Sequence, residues 1–169
     1  MDDIDDDPVA AVPEEKVLYV IDLGSSRPAA RATTGALVRP LVDTDRDALA
    51  RLMLDAYVGT IDHHGGTLSD AFDEVDVWLA GSPMLGHSCG AVVGEQLVSA
   101  ALVSEYDDVP FIAYVMTHPD HKGNGWAGTV VDRTLTTLRS SEYEQVLLYI
   151  TRGNTPSERL FAGAGARAV

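Results

Sequence analysis

The sequence predicts a domain of mixed α/β class, with a mostly antiparallel sheet that also contains one parallel pair of strands. Three β-type runs, 89–93, 97–105 and 111–116, follow one another with short turns between them, which is typical of antiparallel strands. A helical apolar period comes next, and then another buried strand at 145–151. Because a helix connects the last two strands, we expect them to be parallel with a right-handed crossover.

The composition bounds the class of protein. At 169 residues the chain is long enough to bury its own core, and 46% hydrophobic with 22% charged residues is ordinary for a globular protein. No apolar run reaches the roughly 20 residues that a membrane-spanning helix needs. The acidic start of the chain is unlike a signal peptide, and a single cysteine, Cys89, excludes an internal disulfide. These features predict a cytoplasmic protein.

The net charge of −14 argues against nucleic-acid or anionic-membrane binding, which needs a basic surface. The same charge is compatible with a cationic acceptor such as an amine. Residues 1–15 hold seven acidic residues and no basic residue, so we expect them to form an acidic, flexible tail. We expect an added strand and a linker in residues 16–35, and the main folded domain in residues 36–169.

The sequence pattern in the first half of that domain predicts a strand followed by two helices. Residues 36–41 have the apolar character of a strand. The segment from Asp43 to Tyr57 then shows a helical apolar period, and a second helix follows Thr67. The loop between these helices, residues 59–66, is rich in glycine and polar residues.

The segment from Pro119 to Leu138 has the pattern of an anion-binding turn. Pro119 ends a strand, Gly123 and Gly125 follow, and the apolar period then becomes helical. The first amides of a helix have no partner within it and carry a partial positive charge. The glycines let a phosphate approach the backbone closely, and Lys122 adds a full charge. The spacing matches neither a dinucleotide fingerprint nor a P-loop.

Another spacing fits this turn: a basic residue, then a glycine three positions later, then a small residue two positions further. Lys122, Gly125 and Ala127 occupy those places. Behind a strand that ends in His-Pro, the pattern resembles the acetyl-CoA site of the GNAT superfamily of N-acetyltransferases. Residues 146–166, VLLYITRGNTPSERLFAGAGA, resemble the strand and asparagine-containing helix that follow in that family. The resemblance covers about residues 36–169.

The resemblance implies a fold, a co-substrate and a reaction. The sheet would splay between its two parallel strands and would be flanked by about four helices. Acetyl-CoA would bind in the resulting cleft as co-substrate, without a metal, and a primary amine of a small molecule or peptide would attack it directly in a ternary complex. The residues implied to contact the cofactor are Val115, Met116, Thr117, Lys122, Gly123, Asn124, Gly125, Trp126, Ala127, Gly128, Asn154, Ser157 and Phe161.

In a GNAT-like protein the junction between the first two helices borders the acceptor pocket. The candidate substrate contacts there are Tyr57, Asp62, His63 and His64. The strand before the cofactor turn lacks the glutamate that many family members carry, so Glu105 and Tyr114 are the candidate catalytic groups, with a water relay as the alternative. The tyrosine of the family's last helix is here Phe161, which has no proton to give. A catalytically weak acyl-CoA-binding module with a sensing or assembly role is therefore the alternative function.

Two histidine pairs, His63–His64 and His118–His121, have no acidic or cysteine support at metal-site spacing, and we predict no metal site. After the last helix there is room only for a short strand at 166–169, where the family continues into a strand pair. Because a bare sheet edge is unfavourable, we expect residues 17–23 to pair at that edge, in the same chain or in a partner. A homodimer is one arrangement that would supply such a pairing.

Overall fold

The computed structural model describes residues 15–26, 35–63 and 65–169, which contain seven strands and four α-helices. The strands are β1 (Lys16–Asp22), β2 (Leu37–Pro40), β3 (Cys89–Val93), β4 (Gln96–Tyr106), β5 (Val109–Thr117), β6 (Gln145–Thr151) and β7 (Arg167–Ala168). The helices are α1 (Arg46–Tyr57), α2 (Leu68–Ala80), α3 (Trp126–Ser140) and α4 (Thr155–Gly163).

The strands form one sheet with the order β2-β3-β4-β5-β6-β1-β7. Every neighbouring pair is antiparallel except β5 and β6, which are parallel and joined through α3. The predicted fold class, with a mostly antiparallel sheet around one parallel pair and four helices, is confirmed. Pro40 lies in β2, an edge strand, where its missing N–H removes no hydrogen bond that the sheet needs.

The helices cover the two faces of the sheet. α1 and α2 pack on one face, where Leu49, Val75 and Leu102 belong to one buried cluster. α3 and α4 pack on the other face, where Val131, Leu148 and other fully buried residues form a second cluster. The two layers matter for the site because each of them borders one side of the sheet between β5 and β6.

β1 is an internal strand of the sheet. It pairs with β6 along its whole length, from Lys16 opposite Thr151 to Asp22 opposite Gln145, and its other edge pairs with β7. Ile21 is completely buried in the α3 and α4 layer. The prediction that residues 17–23 pair at this edge is therefore confirmed, and the pairing is within the same chain.

Side-chain caps fix where two of the helices begin. Thr67 caps α2 in a reciprocal capping box with Asp70. Asn154, whose side-chain oxygen accepts the amide of Ser157 at 3.2 Å, caps α4. Thr155 is thus the first residue of α4, and the asparagine side chain before it satisfies the third amide of the helix. None of the helices in the described ranges is both long and apolar enough to cross a bilayer.

Candidate functional site

The two parallel strands separate after a short paired stretch. β5 and β6 pair only where Phe111 faces Leu147 and Ile112 faces Leu148. On the other edge of β5 the register with β4 shifts, so that Ala113 is an extra residue with no partner of its own. Such a bulge bends the strand and increases its twist. Beyond Ile112, β5 therefore leaves β6 and presents a free backbone edge to an open cleft.

The register with β4 decides which backbone groups of β5 face this cleft. The amide of His118 donates to the carbonyl of Val98 at 2.8 Å, which identifies a hydrogen-bonded pair. In an antiparallel ladder such pairs alternate with pairs whose backbone groups point to the opposite edge. Val115 and Thr117 therefore direct their N–H and C=O groups into the cleft, as the proposed cofactor contact requires.

The backbone groups of Met116 point to the opposite edge of β5, toward β4. Its carbonyl oxygen accepts a hydrogen bond of 2.8 Å from the hydroxyl of Ser99 on β4, and its side chain is buried under α1 and α2. The structure thus places the backbone groups of Met116 on the β4 side, and leaves Val115 and Thr117 as the two strand residues that border the cleft.

The turn after β5 has the geometry of an anion site. Gly123 and Gly125 have φ angles of 80° and 82°, which side chains rarely tolerate. Gly125 is the N-cap of α3 and offers no side-chain acceptor to the amides of the first turn, including those of Trp126 and Ala127. These amides are left for an external acceptor, and the partial positive charge of the helix end favours an anion.

Side chains on α3 hold this turn against the sheet. The indole of Trp126 is 5% exposed and packs with Ala91 and Val98, so only its backbone is available to a ligand. Gly128 is also buried. Asn124 donates from its side chain to the carbonyl of His121 at 3.3 Å, which ties the turn together.

Lys122 lies between the turn and α1. Its ammonium donates to the carbonyl of Ala56 in the last turn of α1, with an Nζ to O distance of 3.4 Å. A cation near this end also offsets the negative end of the α1 dipole. The predicted phosphate-binding lysine is thus adjacent to the anion turn and is oriented by α1.

The start of α4 meets the loop between α1 and α2. The side-chain amide of Asn154 donates to Asp62 at 2.8 Å, while its oxygen caps the helix. Asp62 also accepts a hydrogen bond of 2.7 Å from the hydroxyl of Thr151 at the end of β6. This loop therefore spans from α1 to the far strand of the cleft, and Asp62 fixes it there.

Two further predicted cofactor contacts on α4, Ser157 and Phe161, differ in how deeply they are buried. Ser157 is partly buried near the helix start, beside the Asn154 cap. Phe161 is 5% exposed and belongs to the core cluster of α3 and α4. Its ring packs in the protein interior at the place where the family pattern has a tyrosine.

On the α1 and α2 side of the cleft, the predicted residues Tyr57 and Tyr114 lie with Glu74, a carboxylate that the sequence did not single out. The hydroxyl of Tyr114 donates to Oε2 of Glu74 on α2 at 2.7 Å. Burial and this hydrogen bond raise the pKa of Tyr114. Burial, with the negative charges of Asp62 and Glu74, raises the pKa of Tyr57. Both phenols therefore stay protonated at neutral pH.

The structure does not bring Glu105 to this group. Glu105 pairs with Pro110 at the beginning of β5, and its amide donates to the carbonyl of Ser82. At about 3.3 Å per residue, Pro110 lies roughly 16 Å from Val115 along the strand. Glu105 is thus at the closed end of the strand pair, whereas Tyr114 lies where the cleft opens.

In the part of the chain that the structure describes, the predicted histidines do not form a recognisable binding group. His63 is partly buried within the described residues, and His64 lies outside them. His118 accepts the amide of Asp120 at Nδ1, at 3.2 Å, and its Nε2 lies 3.6 Å from Asp55. Over the described ranges, no three His, Cys, Asp or Glu side chains come together as a metal-binding group.

Comparison with known proteins agrees with this geometry. A family model described as FR47-like protein matches residues 88–168, slightly less than half of the chain. No curated protein sequence matches the chain. A GCN5-related N-acetyltransferase from Sphaerobacter thermophilus is similar in structure, with a TM-score of 0.72 and 18% identity over 91% of this chain. The match covers 48% of that protein, so the chain spans about half of its length.

Two other solved structures are similar over shorter parts of the chain. The ribosomal-protein-S18-alanine N-acetyltransferase from Escherichia coli has a TM-score of 0.63 and 12% identity, covering 77% of this chain and 76% of that one. The PaiA N-acetyltransferase from Thermoplasma acidophilum, in complex with coenzyme A, has a TM-score of 0.59 and 12% identity, covering 75% and 86%.

The class of fold is therefore that of the GCN5-related N-acetyltransferases, with the splayed parallel pair and the glycine turn in their expected places. The fold that the sequence resemblance to the GNAT superfamily implied is confirmed, and the match to a family model covers residues 88–168. This part of the chain includes both strands of the cleft and the anion turn.

Proposed function

We propose that the protein transfers the acetyl group of acetyl-CoA to a primary amine of a small molecule or peptide. One observation carries this proposal: β5 and β6 pair at only two positions and then diverge beside a glycine-capped helix start. A ligand with an extended arm attached to a diphosphate fits such a cleft. The unpaired amides of the strand can bind the arm, and the unpaired amides at the helix start can bind the diphosphate.

The residues around the cleft have separable roles in this proposal. The amides at the start of α3, with Lys122 beside them, would hold the pyrophosphate. The backbone of Val115 and Thr117 would bind the pantetheine arm. One of these N–H groups would hold the thioester oxygen and stabilise the oxyanion that forms on attack. Trp126 and Phe161 support these groups from the core.

In the proposed reaction the lone pair of a neutral amine attacks the thioester carbon. The new C–N bond forms, the C–S bond breaks, and CoA leaves as a thiolate. Because free alkyl amines are mostly protonated at neutral pH, the acceptor gives up its proton to water before attack. The attacking nitrogen loses a second proton to water as the amide forms. Phe161 cannot protonate the thiolate, so the thiolate takes its proton from solvent.

The test is release of free CoA thiol from acetyl-CoA in the presence of a panel of amines. We expect release that depends on both protein and amine, with an N-acetyl product detected by mass spectrometry. Titration calorimetry with CoA measures the binding step independently. Absence of CoA binding would overturn the proposal at its root.

The alternative is an acyl-CoA-binding module without efficient turnover, and the buried Phe161 in place of a tyrosine favours it. In that case CoA binds in calorimetry, but no amine in the panel accelerates thiol release. The two measurements together therefore separate the enzyme from the binding module.

A further inference from the structure

Glu74 lies on the acceptor side of the cleft and has no role in the proposed reaction. It projects from α2 and is exposed, and Tyr114 donates to its Oε2 at 2.7 Å. The side chain of Tyr114 packs with the α1 and α2 cluster, on the face of the sheet opposite to α3. Glu74 therefore faces the cleft from the side away from the phosphate turn.

The bulge in β5 is the reason that Tyr114 points to this face. Ile112 and Val115 pack on the α3 side, whereas Ala113 and Tyr114 both pack on the α1 and α2 side. A regular strand would alternate, and Tyr114 would then share a face with Ile112. The extra residue at the bulge thus positions the phenol and its carboxylate partner beside the acceptor entrance.

Glu74 has capacity for another donor. An ionised carboxylate accepts about four hydrogen bonds, and within the described ranges Tyr114 is the one side chain that donates to it. The α1 cation that contacts α2, Arg46, bonds to Asp76 at 2.6 Å and lies over the ring of Phe72, and no ion pair joins it to Glu74 within the described ranges. The negative charge of Glu74 is therefore not neutralised by an ion pair within the described part of the chain.

Tyr57 adds an oxygen acceptor to the same region. It ends α1 and is partly buried, and its hydroxyl has no hydrogen-bond partner among residues 15–26, 35–63 and 65–169. The negative charges of Asp62 and Glu74 both act on it. A phenol oxygen and ring beside two carboxylates are suited to a cation, through hydrogen bonding and through the ring face.

The position of Glu74 determines which cation it can bind. The reacting nitrogen must come within about 3–3.5 Å of the thioester carbon, which lies at the backbone edge of β5. Glu74 is separated from that backbone by a whole tyrosine side chain and a hydrogen bond of 2.7 Å. Its carboxylate is therefore out of reach of the reacting nitrogen.

We propose that Glu74, oriented by Tyr114 and with the hydroxyl of Tyr57 beside it, binds a second positively charged group of the acceptor. The acceptor class is then an amine with two cationic nitrogens at the ends of a flexible chain, of which one reacts and the other is held by Glu74. This inference rests on the proposed acetyltransferase function and specifies its substrate class.

The kinetic test compares butylamine with diaminobutane, which has the same four-carbon chain and a second terminal amine. At about 0.15 M salt, we expect the wild-type protein to prefer the diamine in kcat/KM, counted per amino group, by about tenfold, the effect of one charge-assisted hydrogen bond. In Glu74→Gln the ratio of diamine to monoamine falls to about one, chiefly through KM. Tyr114→Phe, which frees the carboxylate, lowers the ratio less.

The matched control is Asp73→Asn, which removes the same charge from the neighbouring, exposed position of α2. We expect this variant to keep the wild-type ratio. A wild-type ratio near one, or a ratio that Glu74→Gln leaves intact, overturns the inference. Equal effects of the two substitutions would also overturn it, because they would show only the general attraction of an acidic protein for cations.

A binding measurement separates this inference from the proposed reaction. Diaminobutane is titrated calorimetrically into CoA-loaded protein, and we expect binding that is about tenfold weaker in Glu74→Gln and unchanged in Asp73→Asn. If no amine is acetylated but this pattern is found, the reaction fails and the cation site stands. If CoA binds and diaminobutane does not, the cation site is refuted.

Discussion

The fixed position of the loop between α1 and α2 leads to a quantitative prediction for Asp62. One oxygen of its carboxylate accepts from Thr151 at 2.7 Å, and the other accepts from Asn154 at 2.8 Å. Asp62→Ala removes both bonds and leaves the hydroxyl of Thr151, a residue that is only 5% exposed, without that partner. The loop then loses its attachment to β6 and α4.

The size of the effect follows from the partners. Hydrogen bonds to a charged group each contribute about 1.5–3 kcal/mol when buried. Asp62 is only partly buried, so solvent replaces part of both interactions, and we expect a loss of about 1–3 kcal/mol in the free energy of unfolding. For a chain of this length each kcal/mol shifts Tm by about 2–4 °C, so Tm falls by roughly 2–12 °C.

Thermal unfolding measures the loss, and thermolysin digestion reports on the loop itself. Val58 and Ile61 are exposed, and we expect cleavage near them to become faster in Asp62→Ala. Asp73→Ala on the exposed face of α2 is the control. In a double-mutant cycle with Asn154→Ala we expect a coupling energy of at least about 0.5 kcal/mol. A coupling energy near zero, with unchanged cleavage, would refute the attachment.

Three other predictions concern the strand, the turn and a partly buried histidine. Ile21→Ala is expected to cost about 2–5 kcal/mol in urea unfolding, because the side chain is completely buried in β1, whereas Val77→Ala at a 70% exposed position changes little. Gly125→Ala is expected to raise the Kd for CoA about tenfold in calorimetry, since φ of 82° strains a side chain by about 1–2 kcal/mol; Gly163→Ala, where a Cβ meets open space, leaves Kd unchanged. Burial lowers the pKa of His87 below its ordinary value of about 6.5. The unfolded state therefore takes up a proton first as pH falls, and stability present above about pH 6.5 is lost on acidification. The loss between about pH 7.5 and 5.5 is expected to be smaller in His87→Phe, and an equal loss would show that other groups cause it.

The elements that local sequence determines were predicted well. The hairpin of β3 and β4, the strand β5, and the glycine turn into α3 all depend on short-range signals: apolar period, turn residues and backbone freedom. Gly123 and Gly125 have the positive φ angles that their pattern indicates. The parallel relation of β5 and β6 also follows from the chain, because a helix must connect them.

Single-residue roles within those elements were less predictable. The strand pattern alone does not distinguish Met116 from Val115 and Thr117 as a cleft residue, because the direction of each amide depends on the register with β4. Asn154 as a cofactor contact stays a prediction, whereas its roles as the cap of α4 and as a donor to Asp62 were seen only in the structure. That second bond joins residues 92 positions apart in sequence.

By itself, the sequence determined the class of fold, the anion turn and the two strands of the cleft, since each of these depends on neighbours within a few residues. Tertiary structure alone decided the arrangement on the α1 and α2 side of the cleft. The bulge at Ala113 turns Tyr114 toward Glu74, 40 positions earlier in the chain, and the register of two strands sets its position. The face of the sheet to which a side chain points is set by the pairing register between distant segments. That register cannot be predicted from the sequence of either segment alone.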